Sequence, residues 1–231
     1  MASLHDLVTQ VSIDLNDYAE GHEFTTWSES QLAAYVLEGL QVAFTFRPDL
    51  FLHSAVIELD AGNNVQRPCD CTQIRRVYGI SDKDGRLLYT IRKRKASDKL
   101  QWHGSSCPVN PKYWKAHDYY IDAEGDTFYI SPAPPVGQTT YALIECASAP
   151  TMDDLNNGYE IPTELQAAAV QWALFRAKMV DGENNNTIYT VANNHKQTCF
   201  QLLQVQMQLK DSIEIDRTSP NQANVRVADN G

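Results

Sequence analysis

The chain has 231 residues, with 29 acidic against 19 basic side chains, a formal net charge of −10 and a pI near 5.0. That balance argues against a general nucleic-acid binder, which carries a basic surface, while leaving room for a local basic patch. The length suits one large or two small domains and buries about 70% or more of the unfolded surface, so folding requires neither metal nor disulfide.

The N-terminus, Met1 to Leu15, includes Asp6 and Asp14 in place of a basic start and an apolar run, so no secretory signal is expected. No stretch approaches the roughly 20 apolar residues that cross a bilayer. Leu4, Leu7, Val8, Val11 and Leu15 recur at helical spacing, with Ser3 as N-cap. After a break at Gly21, Ser28-Glu29-Ser30-Gln31 has the form of a capping box, and Leu32, Tyr35, Val36, Gly39, Leu40, Ala43 and Phe44 predict a second helix. Arg47-Pro48 ends it, because the residue before a proline is pushed out of helical conformation.

From Leu52 the pattern changes to short apolar runs separated by turn residues. Strands are predicted at Ala55–Leu59, Ile74–Tyr78, Leu87–Arg94, Tyr119–Ile121, Thr127–Ser131 and Thr139–Glu145. Lys83-Asp84-Gly85 and Asp122 to Asp126 are hairpin turns between them. Helical spacing returns after Pro162, a residue the first helical turn tolerates. Leu165, Trp172 and Phe175 are helix-packing residues there, in a segment apolar over much of its circumference. Gly182 stops it, and Asn184, Asn185 and Asn186 suit the tip of a hairpin. Ile188, Val191, His195, Thr198, Leu202, Val205 and Leu209 then form a heptad seam to Lys210, with His195 as a polar residue that fixes register.

The order helices, strands, helices predicts an α+β fold. The expectation is an antiparallel four-helix bundle of N- and C-terminal helical hairpins, with a β-rich antiparallel insertion between helices 2 and 3 and an extended C-terminal arm. The boundaries are 1–51 and 151–210 for the two hairpins, 52–150 for the insertion and 211–231 for the arm.

Candidate chemistry is sparse. Cys69-Asp70-Cys71 places two thiols on one side of a strand, and His103 with Cys107 would complete four zinc ligands, but the spacing matches no familiar zinc module. An odd count of five cysteines without a secretion signal favours reduced thiols. Cys107 with His103 or His117 is the one conceivable nucleophile–base pairing, and no nucleophile turn accompanies it. No glycine-rich phosphate loop is present, and no cofactor or metal is implied. Arg92, Lys93, Arg94 and Lys95, with Lys99 nearby and Arg75-Arg76 upstream, are the one basic concentration. They suit an acidic partner, DNA phosphates or simply a solvated strand end. Trp102, Tyr113, Trp114, Tyr119 and Tyr120 divide between sheet core and contact surface.

The run Ile161-Pro162-Thr163-Glu164-Leu165 leads into Ala169-Val170-Gln171-Trp172-Ala173-Leu174-Phe175-Arg176-Ala177, then Asp181 and a helix containing His195 and Phe200. With the N-terminal helical pair and the β region, this resembles the head-to-tail adaptor (connector) proteins of short-tailed bacteriophages, the class that includes the tail tubular protein A of T7-like phages. The resemblance implies a virion structural protein and no enzyme: a twelve-subunit ring at the head–tail junction, made in the host cytoplasm. Its partners would be the portal protein, the tail nozzle protein and other copies of itself, with non-specific proximity to channel DNA, a part in retaining the genome, and no membrane. It also implies a portal-binding arm through Ile213, Ile215, Arg217, Val225 and Val227. The alternatives from other classes are a cell-wall-acting hydrolase carried in a virion and another tail structural protein.

Overall fold

This computed structural model describes residues 2–19, 23–69, 71–95, 113–181 and 185–218, with side chains as far as residue 204. Among these residues the chain forms five α-helices and two four-stranded sheets. They fall into two compact units: Met1–Phe46 with Leu155–Gly231, and Arg47–Asp154. None of the described helices is long and apolar enough to cross a membrane.

The first unit is helical. Helix α1, Leu4–Asp14, opens on a complete capping box: the Asp6 N–H donates to Ser3 Oγ at 3.2 Å and the Ser3 N–H to Asp6 Oδ2 at 2.8 Å. Helix α2, Glu29–Phe46, has only half of the box expected at Ser28. The Gln31 N–H donates to Ser28 Oγ, but the Gln31 side chain turns along the helix and donates to the Tyr35 hydroxyl at 3.1 Å. Between α1 and α2 the carboxylate of Asp17 is buried and accepts from the backbone N–H groups of Thr26 and Trp27 and from the Thr25 hydroxyl, at 2.6 to 3.0 Å. Burial by itself would raise its pKa, but these bonds to the charged form win and hold it at about 2.

Helix α3, Met152–Asn156, begins at a Thr151–Asp154 capping pair; it is followed by α4, Thr163–Asp181, and α5, Asn186–Thr218. Asn185 caps α5 through its side-chain oxygen, which accepts from the Thr187 N–H at 3.0 Å. Helix α4 buries Leu165, Ala169, Trp172, Leu174, Phe175 and Ala177, positions that surround its axis. It packs most extensively on α5 and α2 and also touches α1.

The four-helix bundle is therefore corrected. There are five helices, and α4 serves as a shared partner instead of one of four equivalent corners. A helix apolar on most sides buries more area when surrounded than when it offers a single stripe. The expected seam on α5 also rotates. Among its described side chains Ala192, Cys199 and Leu203 are buried, Ile188, His195 and Leu202 are half-buried, and Val191 and Thr198 face solvent. Burying small residues lets two helices approach more closely than a valine stripe would. The extended arm is corrected as well, because α5 continues as helix through Thr218 and does not end at Lys210.

The second unit holds the strands: β1 Leu52–Glu58, β2 Val65–Gln66, β3 Gln73–Ser81, β4 Leu87–Thr90, β5 Arg92–Lys93, β6 Asp118–Ile121, β7 Phe128–Ser131 and β8 Tyr141–Ala147. One sheet has the order β1-β8-β3-β4 and is antiparallel; the other is β2-β7-β6-β5. The second sheet departs from the all-antiparallel expectation, since β5 pairs parallel to β6. The predicted strand Leu87–Arg94 is two strands, one in each sheet, with the buried Ile91 at the crossing. Ile74, Val77, Ile80, Ile91, Phe128 and Ile144 belong to one core drawn from both sheets.

Gly39 on α2 meets α4 so closely that an added Cβ would lie 3.0 Å from Trp172 Cβ and 3.1 Å from Ala169 Cα. Gly39→Leu is expected to lower unfolding stability by about 2–3 kcal/mol in urea titration, through overpacking. Asp17 supplies the second prediction. Its folded pKa lies below the unfolded value of about 3.9, so its contribution is present above that value and is lost as pH falls toward the folded pKa of about 2. The Asp17→Asn chain should be less stable at neutral pH by about 2 kcal/mol and should lose part of the acid-dependent slope between about pH 4 and pH 2.

Candidate interaction surfaces

The most chemically defined surface lies where β3 passes β5. A register shift between Ile74 and Arg76 interrupts the pairing of β3 with β8, and Arg75 and Arg76 are consecutive exposed residues there. Arg75, Arg76, Tyr78, Lys93, Tyr119 and Glu145 line a shallow cleft of about 420 Å³. Arg76 stacks over the Tyr78 ring at 5.0 Å, and the Tyr78 hydroxyl donates to Glu145 Oε1 at 2.8 Å. That bond to a carboxylate pushes the Tyr78 hydroxyl above its ordinary range. Burial does the same to Tyr119.

The predicted basic run is divided by its pairing. Arg92 and Arg94 both reach Asp118 Oδ1 at 3.1 Å, whereas Lys93 and Lys95 are exposed and, among the described residues, form no ion pair. The structure thus joins Lys93 to Arg75 and Arg76 in one cleft, and sets Arg92 and Arg94 against Asp118. Lys99 and Trp102 lie outside the described residues.

Across β6 the sign reverses. Asp122, Glu124 and Asp126 in the β6–β7 turn bring a carboxylate oxygen each within 4.8 Å of one another. Asp122 Oδ1 accepts from the Gly125 N–H at 2.8 Å, Asp126 accepts from the Thr127 hydroxyl, and Arg67 lies 3.8 Å from Asp126. The sequence predicts this stretch as a hairpin turn and not as a carboxylate cluster. Its signal was present as alternating acids, which a tight turn folds onto one side.

The cysteines are arranged differently from the zinc reading. Cys71 is disulfide-bonded to Cys146, with Cα atoms 5.7 Å apart, while Cys69 is free and exposed. This corrects the expectation of reduced thiols throughout and removes Cys71 as a ligand beside Cys69. His53 Nε2 lies 3.5 Å from Cys146 Sγ. Cys199 is free and buried, and burial pushes its thiol up to about 11. His103 and Cys107 lie outside the described residues; His117 is exposed beside β6, where its carbonyl accepts from the Arg92 N–H.

In the helical unit Leu165, Trp172 and Phe175 are buried. His195 Nδ1 meets Gln171 Oε1 at 2.8 Å across α4 and α5, and burial first, then Lys178, depress its pKa toward the neutral form. Lys196 lies over the Phe175 ring at 5.4 Å and the Phe200 ring at 6.0 Å. Val180, Tyr189 and Val191 are exposed where the two helices meet their loop. Ile213, Ile215 and Arg217 fall on the last turns of α5, the side chain of Leu209 is among those not described, and Val225 and Val227 lie outside the described residues.

A family model described as SU10 adaptor protein matches residues 2–226, nearly the whole chain. No curated protein matches it.

Replacing Asp118 by Asn releases two guanidinium groups at once. Because the chain is acidic overall, the Asp118→Asn chain is expected to elute from an anion-exchange matrix at lower salt than the wild type. Its unfolding stability should fall by less than about 1 kcal/mol, because the arginines are solvated.

Proposed function

The chain belongs to the SU10 adaptor protein family, and from that premise we propose that it forms a ring between the portal and the tail nozzle of a phage particle and helps to retain the packaged genome. Members of the family are structural proteins of the phage head–tail junction that engage portal and tail proteins; this favours the structural reading over a cell-wall-acting hydrolase. The observation that carries the proposal is the extent of the match, which includes both helical segments and the β unit between them. The narrower likeness to the tail tubular protein A of T7-like phages is part of the proposal and rests on the opening and course of α4.

Three surfaces have separate roles in this reading. The segment after Lys210, with Ile213, Ile215, Arg217, Val225 and Val227, engages the portal. The basic residues Arg92, Lys93, Arg94 and Lys95 meet an acidic neighbour or pass close to channel DNA. The net charge of −10 keeps that DNA mobile, since a uniformly basic lining would bind its phosphates. The apolar residues Val180, Tyr189 and Val191 give the helical unit contact area beyond its own core.

Electron microscopy of the full chain mixed with portal should show rings stacked on the portal, and bare portals would end the proposal. Deleting residues 211–231 is expected to weaken portal binding at least about tenfold, equivalent to about 1.4 kcal/mol. The melting temperature should change little. Undiminished binding by the truncated chain would count against a portal-binding role for this segment.

A further inference from the structure

Two charged surfaces of opposite sign lie on the same unit, each only partly offset within it. Arg75, Arg76 and Lys93 converge on the cleft beside β3 and β5. Asp122, Glu124 and Asp126 gather in the β6–β7 turn. Strand β6 connects them: Lys93 is in register with Tyr119, and Asp122 follows the strand's last residue. The separation is about 10 Å along the strand, at about 3.3 Å per residue. That exceeds ion-pair range, and among the described residues no ion pair joins the two groups. Among the described residues neither meets an opposite charge of matching strength: Glu145 alone stands against three cations in the cleft, and Arg67 reaches Asp126 at 3.8 Å and leaves the turn acidic on balance.

We propose that this paired surface is a contact between copies of the chain, in which the Arg75–Arg76–Lys93 cleft of one copy receives the Asp122–Glu124–Asp126 turn of the next. It deepens the ring reading by naming the contact, and rests on that reading. Three considerations select a second copy over nucleic acid. The partner must present about three carboxylates in a space under 5 Å across, and the turn does so. The rest of the chain is acidic, so a duplex beyond the reach of the cleft meets repulsion. Asp118 engages both Arg92 and Arg94 and offsets one of their two charges, which shortens the basic run open to a phosphate backbone. Glu145, held by Tyr78, lines the cleft and restricts where an incoming carboxylate sits. Exposed ion pairs are individually weak and are screened over about 8–10 Å at physiological salt. The contact is therefore salt-sensitive and is strengthened when the portal concentrates copies side by side.

The test is complementation by charge reversal in the full chain, read by sedimentation. One variant carries Arg75→Glu and Lys93→Glu, so that both surfaces are acidic; the other carries Glu124→Lys and Asp126→Lys, so that both are basic. Wild-type chain should self-associate at about 20 mM salt, with an association constant at least about tenfold lower at about 300 mM. Each variant alone should fail to associate. An equimolar mixture of the two should regain association, because every cleft then has a turn of opposite sign, and a misfolded variant does not produce that recovery. A wild type that stays monomeric at low salt, variants that associate as well as wild type, or a mixture that stays inert would each overturn the contact. So would loss of duplex-DNA binding in Arg75→Glu/Lys93→Glu with self-association intact. Ring formation on the portal is scored separately. Rings of either variant equal to those of wild type remove this contact and leave the adaptor reading standing, whereas absence of wild-type rings removes that reading.

Discussion

The close crossing of α2 over α4 at Gly39 is the constraint on which the helical unit depends. With Trp172 Cβ and Ala169 Cα only 3.0 and 3.1 Å from where a side chain would begin, inside ordinary van der Waals contact, α2 seats this closely on α4 because it has no side chain there. That approach covers one side of α4, α5 covers another, and α1 completes part of the remainder. A helix so apolar has to be enclosed. Its partners α1 and α2 lie on the far side of Arg47–Asp154 in sequence, whereas α5 follows it directly. The Asp17 carboxylate stabilises the loop that brings α1 back to α2, through hydrogen bonds in place of apolar contact.

The β unit follows a different logic. Its two sheets share a core, and the chain crosses from one to the other at Ile91. Because β4 ends in the first sheet and β5 begins in the second, the basic residues after Ile91 emerge beside β3. The register shift near Arg75 then turns two consecutive arginines outward. The basic cleft is thus a consequence of how one sheet hands the chain to the other. Gly79 permits the tightest point of this arrangement, since a Cβ there would collide with the Tyr89 carbonyl oxygen.

Membership of an adaptor family agrees with a molecule whose chemistry resides in surfaces. The polar groups with shifted pKa values serve structure: Asp17 ties a loop, Tyr78 fastens a sheet face through its hydroxyl, and Cys199 is kept as a buried thiol. An assembly protein of this kind gains specificity from where its charges are left unpaired. In this chain the clearest such places are the β3–β5 cleft and the β6–β7 turn.

Local sequence determined the helices around Leu7, Val36 and Trp172, the Ser3 cap, most strands of the β unit and the family resemblance carried by Ile161 to Ala177. Those features depend on residues a few positions apart, where periodicity and capping are decided by the backbone itself. The tertiary structure alone decided that α4 is shared among neighbours, that Ala192 and Cys199 and not Val191 face inward, and that Cys71 meets Cys146 across 75 positions. It also decided that Leu87–Arg94 divides between two sheets and that Arg75, Arg76 and Lys93 share one cleft with Glu145. Each of these depends on which distant surface a residue meets, and that choice is made by packing area and close approach between elements, which spacing along a single chain does not encode.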